Sequence, residues 1–296
     1  MTHKDVVPKG MVDVWCSVVA YRTPAEEIER LAATLAHTRV SVALTIVDNA
    51  GTLPHALRLP GMMAIERLSP GRNLGYGRAH NLAIAQSRDR CRYHLVLNSD
   101  IEFDASVIDA LVDFMDARPT AGLVMPMVRY PDGELQYLCR LLPNPVTLIG
   151  RRFFGGTQWA RRLNDRYELH DWTYNKVASF PFLSGCFMFI RRTTLDKVEG
   201  FDPRFFLYAE DLDLSRRLHM VSETLFYPGV SITHEYRSLK RRSWRQWVYA
   251  LTSLSQYFNK WGWILDAERD RINQRTVAKI RDKKQGAEDK ESIHQN

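Results

Sequence analysis

The sequence is short of the features that mark metal-ribbon, disulfide-rich and membrane-spanning proteins. It has four cysteines in 296 residues, scattered without CxxC or zinc-type spacing. Two of them, Cys16 and Cys186, lie inside apolar runs, which predicts small core residues in a reducing compartment. No apolar run approaches the roughly 20 residues needed to cross a bilayer, and residues 1–5 lead into no signal segment. We therefore expect a soluble, cytoplasmic protein.

The familiar phosphate-binding loops are also missing. The chain has no GKS or GKT sequence. Its Gly75-Tyr76-Gly77 is followed by Arg78, Ala79 and His80, so the third glycine of GxGxxG is absent. The segment also follows a third extended piece instead of the first strand, which argues against a dinucleotide cofactor.

Size and charge are informative. The chain is 45% hydrophobic, enough to bury the core of one large domain or of a domain with a helical appendage. Its net charge is +7, with the excess of Lys and Arg late in the chain. This excess indicates an anionic partner: nucleic acid, a phosphorylated ligand or an anionic membrane face.

Strands and helices alternate through the first half of the chain. Apolar, β-branched runs predict strands over residues 12–20, 42–47, 64–68, 93–97 and 123–127. We expect helices after Thr23, from about residue 78 to 87, and after Asp104, with Thr23 and Asp104 as caps. Pro131-Asp132-Gly133 predicts a hairpin turn. This order predicts an α/β fold with a mostly parallel central sheet flanked by helices.

Polar residues end several of these strands. Asp48 follows the second strand, and Asn98 and Asp100 follow the fourth. Ligands of open α/β sheets bind at the carboxyl ends of the strands, so one cleft could hold all three.

Two acidic motifs stand out, Asn98-Ser99-Asp100 and Glu210-Asp211-Leu212-Asp213. The first could be a plain polar turn, and the second the acidic start of a helix. The helix-start interpretation suits Asp213. The functional alternative is that Asp100 binds a divalent cation on a donor diphosphate, and that Glu210 and Asp211 handle a proton at the mouth of an apolar wall.

The chain resembles the inverting family-2 glycosyltransferases with the GT-A fold, and among them the rhamnosyltransferase-like enzymes of bacterial surface polysaccharide assembly. The resemblance covers about residues 12–240 and rests on ordered motifs: Val47-Asp48-Asn49, Asn73-Leu74-Gly75-Tyr76-Gly77 to Asn81, Asn98-Ser99-Asp100, Asp132-Gly133-Glu134-Leu135-Gln136 with Arg140, Leu183-Ser184-Gly185-Cys186-Phe187-Met188, and Gly200-Phe201-Asp202 running into Phe205 to Leu214.

The resemblance implies a role for each matching residue. Asp211 would be the general base, supported by Glu210, and Asp100 and His234 would face Mg²⁺ or Mn²⁺. The nucleotide-sugar donor, with dTDP or UDP, would contact Tyr21, Thr23, Asp48, Asn49, Arg72, Asn73, Gly75, Asn98 and Ser99. Asp48 would accept a hydrogen bond from the base or ribose, and Arg72 would lie near the phosphates.

The resemblance further implies the reaction. L-rhamnose from dTDP-L-rhamnose is the expected donor sugar, and a lipid-linked or growing glycan is the expected acceptor. Asn98 stands where a full DxD motif has an acid, which weakens metal binding without donor. The alternative is a scaffold on the same fold that has lost catalysis. A glycosidase is disfavoured because nothing supplies its proton donor.

The late chain carries a separate signal. Trp244, Trp247, Val248, Leu251, Leu254, Phe258 and Trp261 recur at helical spacing after a basic cluster of Arg237, Lys240, Arg241, Arg242 and Arg245. Such a helix packs on the domain, or it lies at a membrane surface through about 237–265. We expect a catalytic domain over 1–240 and a helical extension with a polar tail over 241–296. A nucleic-acid partner is not expected, because the basic region has no recognised motif.

Overall fold

The chain forms a mixed α/β fold around one large sheet. The computed structural model describes residues 10–153, 156–235 and 244–293, and of 149, 151–153 and 282–293 the backbone alone. Its strands are β1 Val12–Ala20, β2 Val42–Asp48, β3 Ala64–Leu68, β4 Cys91–Leu97, β5 Ile101–Glu102, β6 Ala121–Arg129, β7 Cys139–Arg140, β8 Ala178–Ser179, β9 Phe182–Leu183, β10 Phe187–Arg191 and β11 Glu223–His234.

Helices cover the sheet and extend the chain beyond it. They are α1 Ala25–Leu35, α2 Tyr76–Gln86, α3 Ser106–Asp116, α4 Pro145–Phe153, α5 Gln158–Tyr167, α6 Arg192–Lys197, α7 Glu210–Val221, α8 Trp244–Trp261 and α9 Ala267–Ile293. In α1, Ile28, Leu31 and Leu35 form one buried face, as their spacing predicts.

The sheet runs β3-β2-β1-β4-β10-β6-β11-β5, with β8 on β11. The α/β class is confirmed, but the parallel order is complete only from β3 to β4. The β10 strand is antiparallel to both its neighbours, β4 and β6, although β6 and β11 pair in parallel. The strand–helix alternation of the sequence stops at β6, so the pattern there gave no signal for β10.

Local signals at the helix starts were only partly correct. Thr23 does not cap α1: Pro24 holds the N-cap position, and the Thr23 hydroxyl instead accepts from the Tyr21 N–H. The α2 helix begins at Tyr76, two residues before the predicted start, directly after Gly75 with its φ of 82°. Asp104 does accept the N–H of Ser106, the first residue of α3.

The C-terminal helices pack on the domain. The α8 helix buries Ala250, Ser253, Tyr257 and Phe258, which confirms its packing. Its other face and the following turn expose large apolar side chains: Trp244, Val248, Tyr249, Leu251, Trp263, Ile264 and Leu265. Among the described helices, none is both long and apolar enough to cross a bilayer. The boundary near residue 240 stays a prediction.

Two further sequence signals can be placed. All four cysteines are free and buried, which confirms the core placement predicted for Cys16 and Cys186. Of the basic cluster, Arg245 is exposed at the start of α8, whereas Arg237, Lys240, Arg241 and Arg242 lie outside the described residues.

Candidate active site

A cleft opens at the carboxyl edge of the parallel strands. β1 and β4 are paired in parallel, so the segments that follow them leave the sheet side by side. Together with α1 and α2 they enclose a cavity of about 250 Å³, lined by Val19, Tyr21, Arg22, Thr23, Glu27, Tyr76, Asn98, Ser99 and Asp100. Five of the predicted donor and metal residues therefore share one cavity. Their roles in binding stay predictions.

Asp48 lies beside this cleft but does not line the cavity. Its carboxylate is 1% exposed and accepts from the N–H groups of Thr52 and Leu53. Arg67 Nη2 lies 2.8 Å from Asp48 Oδ2 and forms an ion pair with it. A hydrogen bond from a donor would have to share an oxygen that is already engaged, so Asp48 in this arrangement shapes the loop that follows β2.

Asn49 fixes the glycine-containing turn before α2. Its Nδ2 donates to Asn73 Oδ1 and to the Gly75 carbonyl, both at 2.9 Å, and its Oδ1 accepts from Leu74 N. A Cβ on Gly75 would lie 2.0 Å from the Phe206 carbonyl oxygen, so only glycine fits there. Arg72, at the tip of the same turn, is exposed.

Asp100 and His234 meet through the pairing of β5 with β11. His234 pairs with Ile101, and His234 Nε2 lies 3.5 Å from Asp100 Oδ1. On the other side of the ring, Nδ1 lies 3.0 Å from Gln136 Oε1, while Gln136 Nε2 donates to the His234 carbonyl. Since an amide oxygen only accepts, this contact places a proton on Nδ1, and in the neutral ring Nε2 then carries the lone pair toward Asp100.

A lone pair and a carboxylate that face each other suit a shared cation. Imidazole nitrogen and carboxylate oxygen are both ligands of Mn²⁺-type ions. Within the described ranges, no group of three or more His, Cys, Asp or Glu side chains could hold a metal. The described residues thus offer only part of a coordination sphere here, which fits an ion that arrives with donor phosphates.

The other acidic motif begins α7. Tyr208 and Ala209 precede it with φ values of 69° and 62°, a left-handed pair that turns the chain sharply into the helix. Asp211 Oδ2 then accepts from Gly185 N, and its Oδ1 from Leu212 N, both at 2.9 Å. A Cβ on Gly185 would lie 2.7 Å from Asp211 Cβ, so the bare glycine backbone lets the carboxylate approach.

The two adjacent carboxyls differ in environment. Burial raises the pKa of Glu210 well above its usual value, and the charge of Asp211 raises it further. Burial also raises the pKa of Asp211, but the N–H groups of Gly185 and Leu212 and the charge of Arg140 oppose that rise. One Glu210 oxygen, Oε2, is buried without a hydrogen-bond partner in the described part of the chain. Of the pair, Asp211 therefore ionises first, and Glu210 holds its proton to higher pH.

Sequence reasoning gave no role to three residues at this site. The Tyr76 hydroxyl lies 3.0 Å from Asn98 Oδ1 and 2.7 Å from the Gly185 carbonyl, and so joins the two acidic motifs. Gly185 and Arg140 both act on Asp211. All three lie inside motifs that carry the family resemblance, but no local pattern showed what each would touch.

Asp213 lies in the first turn of α7, as predicted for a helix-start residue. The sequence did not predict that its side chain is fully buried in ion pairs with Arg217 and Lys260. A buried carboxylate requires such partners, and Lys260 is supplied by α8, far along the chain.

The comparisons with known proteins agree with this geometry. No protein-family model matches the chain. The chain is 31% identical to N-acetylglucosaminyl-diphospho-decaprenol L-rhamnosyltransferase of Mycobacterium tuberculosis (strain CDC 1551 / Oshkosh), over 76% of each protein. The chain belongs to the rhamnosyltransferase-like family-2 glycosyltransferases. It is 24% identical to rhamnosyltransferase WbbL of Escherichia coli (strain K12), over 67% of this chain and 75% of that one. The predicted enzyme class is confirmed.

Solved structures show the same fold. S. aureus TarS 1–349 in complex with UDP-GlcNAc gives a TM-score of 0.56 at 13% identity, covering 90% of this chain and 71% of that one. GalNAc-T7 with UDP, GalNAc and Mn²⁺ also gives 0.56 at 13% identity, covering 86% and 48%. The GT-A fold of this glycosyltransferase is thereby confirmed.

A larger cavity, of about 560 Å³, lies away from these carboxylates. Residues from α4, α5 and α9 line it, among them Thr147, Arg166, Tyr167, Asn273 and Arg281. It contains none of the residues predicted for catalysis, and the site is therefore placed at the smaller cleft.

Proposed function

We propose that this enzyme transfers L-rhamnose from dTDP-L-rhamnose to a hydroxyl of a polyprenyl-diphosphate-linked GlcNAc, with inversion at the anomeric carbon. The observation that carries the proposal is the placement of Asp211, oriented by two backbone N–H groups and joined through Tyr76 to the cleft of Asn98 and Asp100. The acceptor class rests on the substrate in the name of the mycobacterial relative.

The donor would lie across the cleft at the end of β1 and β4. Tyr21 and Thr23 would flank the nucleoside, and Asn98 and Ser99 would hold the sugar-phosphate side of the cavity. Asn49, Asn73 and Gly75 fix the turn that presents Arg72, whose exposed guanidinium could reach the diphosphate.

Asp100 and His234 would hold Mg²⁺ or Mn²⁺ once donor phosphates complete the coordination. Two of the structural neighbours contain Mn²⁺. Such an ion would neutralise the charge that develops on the leaving nucleoside diphosphate. Gln136 keeps the His234 proton on Nδ1, so that Nε2 can bind.

The proton of the acceptor hydroxyl would pass to Asp211 as the glycosidic bond forms. Gly185 N–H and Leu212 N–H stabilise the ionised carboxylate before the reaction and hold its oxygens in place. Glu210, neutral beside it, avoids a second negative charge at the base. One base and one displacement give inversion.

Membrane contact is the second part of the proposal. A polyprenyl acceptor is embedded in a bilayer, and the apolar face of α8 with the turn after it is exposed. Ile264 is 83% and Leu265 92% exposed, and Arg245 supplies a cation at the other end of α8, over the exposed Trp244 ring. Co-sedimentation with anionic vesicles should weaken in Leu265→Asn and stay unchanged in Met62→Asn. Met62 is a fully exposed methionine distant from Leu265 in the sequence. Equal binding by both variants would contradict the contact.

A donor panel tests the activity itself. Purified enzyme is mixed with Mn²⁺, polyprenyl-diphosphate-GlcNAc and either dTDP-L-rhamnose, UDP-GlcNAc or a GDP-sugar. We expect nucleoside diphosphate release that depends on acceptor with the rhamnose donor, and an inverted linkage by NMR. Turnover of another donor in preference to dTDP-L-rhamnose would overturn the substrate assignment, and a retained configuration would overturn the mechanism.

A further inference from the structure

Residues 206–209, just before the acidic pair, include strained backbone and are held in place by contacts with other helices. Tyr208 and Ala209 both have positive φ, a strained conformation that non-glycine residues rarely adopt. Such a turn persists only where its surroundings fix it. On one side Tyr76 N donates to the Phe206 carbonyl at 3.0 Å, which ties the segment to α2.

On the other side α8 holds the same segment. Ser253 Oγ donates to the Leu207 carbonyl at 2.9 Å, and the Phe206 ring packs on Tyr249 with centroids 4.6 Å apart. Ser253 is itself 1% exposed. Contacts with a helix more than forty positions later in the chain therefore hold the residues just before Glu210 in place.

A second grip lies just after the base. Asp213 is fully buried in the first turn of α7, two residues beyond Asp211. Its Oδ1 accepts from Lys260 Nζ at 2.7 Å and from Trp261 Nε1 at 2.8 Å, and its Oδ2 from Arg217 at 2.8 Å. Lys260 and Trp261 form the last turn of α8, so both ends of the base-bearing turn are fixed by one helix.

A further ion pair joins α7 to the segment between α8 and α9. Arg216 on α7 forms a bidentate ion pair with Asp266, at 2.7 and 2.9 Å, and lies 4.0 Å from the centre of the Trp261 ring. Asp266 in turn accepts from Arg269 N in the first turn of α9. Paired buried charges of this kind tolerate little displacement.

We propose that α8 is a positioning element for catalysis: Ser253, Lys260 and Trp261 hold residues 206–213 so that Asp211 faces the acceptor. This inference rests on Asp211 being the base of the proposed function. The residues that line the donor-side cavity come from β1, α1, α2 and the turn after β4. Loss of the grip should therefore impair transfer without impairing donor binding.

The sharpest variant is Trp261→Phe, which deletes one N–H donor to Asp213 and keeps an aromatic ring over Arg216. Ser253→Ala deletes one oxygen atom and with it the hydrogen bond to the Leu207 carbonyl. Because misplacement by about 1 Å can cost on the order of a hundredfold in rate, we expect each variant to lower kcat by roughly 10- to 100-fold. Donor affinity, measured by calorimetry with dTDP-L-rhamnose, should not change.

Lys260 offers a conservative rescue and a matched control. Lys260→Met should lower kcat, and Lys260→Arg should restore much of it, because a cation again reaches Asp213. Arg204→Met is the control: Arg204 pairs with Asp202, the second partner of Lys260, but the structure shows no ion pair between Arg204 and Asp213 within the described residues. Its kcat should match the wild type.

The pH profile separates positioning from mere loss of stability. The hydrogen bond from Gly185 N lowers the pKa of Asp211. A loosened turn lengthens this bond and so raises that pKa. The acid limb of kcat should therefore move to higher pH in Trp261→Phe. A purely structural role would lower Tm and the active fraction with the acid limb unmoved.

Asp211→Asn run in parallel distinguishes the two levels of the argument. If Asp211→Asn keeps wild-type turnover, the base assignment fails. If Asp211→Asn is inactive while Trp261→Phe and Ser253→Ala keep the wild-type kcat and acid limb, the base stands and the positioning role of α8 is overturned.

Discussion

Adding one methyl group at Gly185 should push the base out of place. The new Cβ would lie 2.7 Å from Asp211 Cβ and 3.3 Å from its Oδ2, whereas ordinary contacts begin at 3.4 Å. Gly185 is not among the glycines with positive φ, so alanine is allowed by the backbone and the effect is steric. Relief of the overlap requires a shift of about 1 Å, and a shift of that size can cost on the order of 10²-fold in rate, or about 2.7 kcal/mol of activation free energy.

The assay is steady-state release of nucleoside diphosphate by Gly185→Ala with saturating donor and acceptor. Gly61→Ala is the matched control, because a Cβ there meets nothing within 4 Å. Donor affinity and Tm are measured for both variants, so that a folding defect is visible. A Gly185→Ala enzyme that folds, binds donor and turns over at the wild-type rate would refute the close approach of Gly185 to a catalytic Asp211.

Three pH-linked predictions follow from the buried groups. In Arg140→Met the charge that lowers the pKa of Asp211 is gone, so the acid limb of kcat should move to higher pH, with Arg140→Lys closer to wild type; an unmoved limb would count against the coupling. The pKa of Glu210 is raised, so its contribution to stability is present below pH 4.5 and is lost as pH rises through the raised value. The Tm of Glu210→Gln should therefore exceed that of wild type by more at pH 8 than at pH 5. A larger difference at pH 5 would contradict this. Burial lowers the pKa of His80 to about 3, so the stability that its neutral ring contributes is lost as pH falls from 6.5 toward 3. The free energy of unfolding in urea should be about 2 kcal/mol smaller at pH 5 than at pH 7 because of this group. His80→Asn should remove that difference.

The parallel half of the sheet was predictable because its strands carry their own signal. β1 and β4 are mostly apolar and buried at nearly every position, so the sequence pattern alone marks them. β10 has the same apolar character, but its antiparallel place between β4 and β6 depends on the long excursion through α4 and α5. Nothing local encodes that direction.

The same distinction holds at the site. Asp100 and Asp211 could be proposed from the sequence because each lies at the end or the start of an element with a recognisable pattern. Asp213 was placed correctly in a first helical turn, but its buried pairing was missed because the partner, Lys260, lies in another helix. Tyr76 was passed over because only the assembled fold brings its hydroxyl to both Asn98 and Gly185.

The central claim is that Asp211 is the base of a rhamnosyl transfer. It is tested most directly by transfer of labelled rhamnose from dTDP-L-rhamnose to polyprenyl-diphosphate-GlcNAc by wild type and Asp211→Asn. General-base catalysis contributes on the order of 10²- to 10⁴-fold, so the account predicts a loss of that size in the variant, with donor affinity unchanged. Rhamnose transfer by Asp211→Asn at the wild-type rate would contradict it.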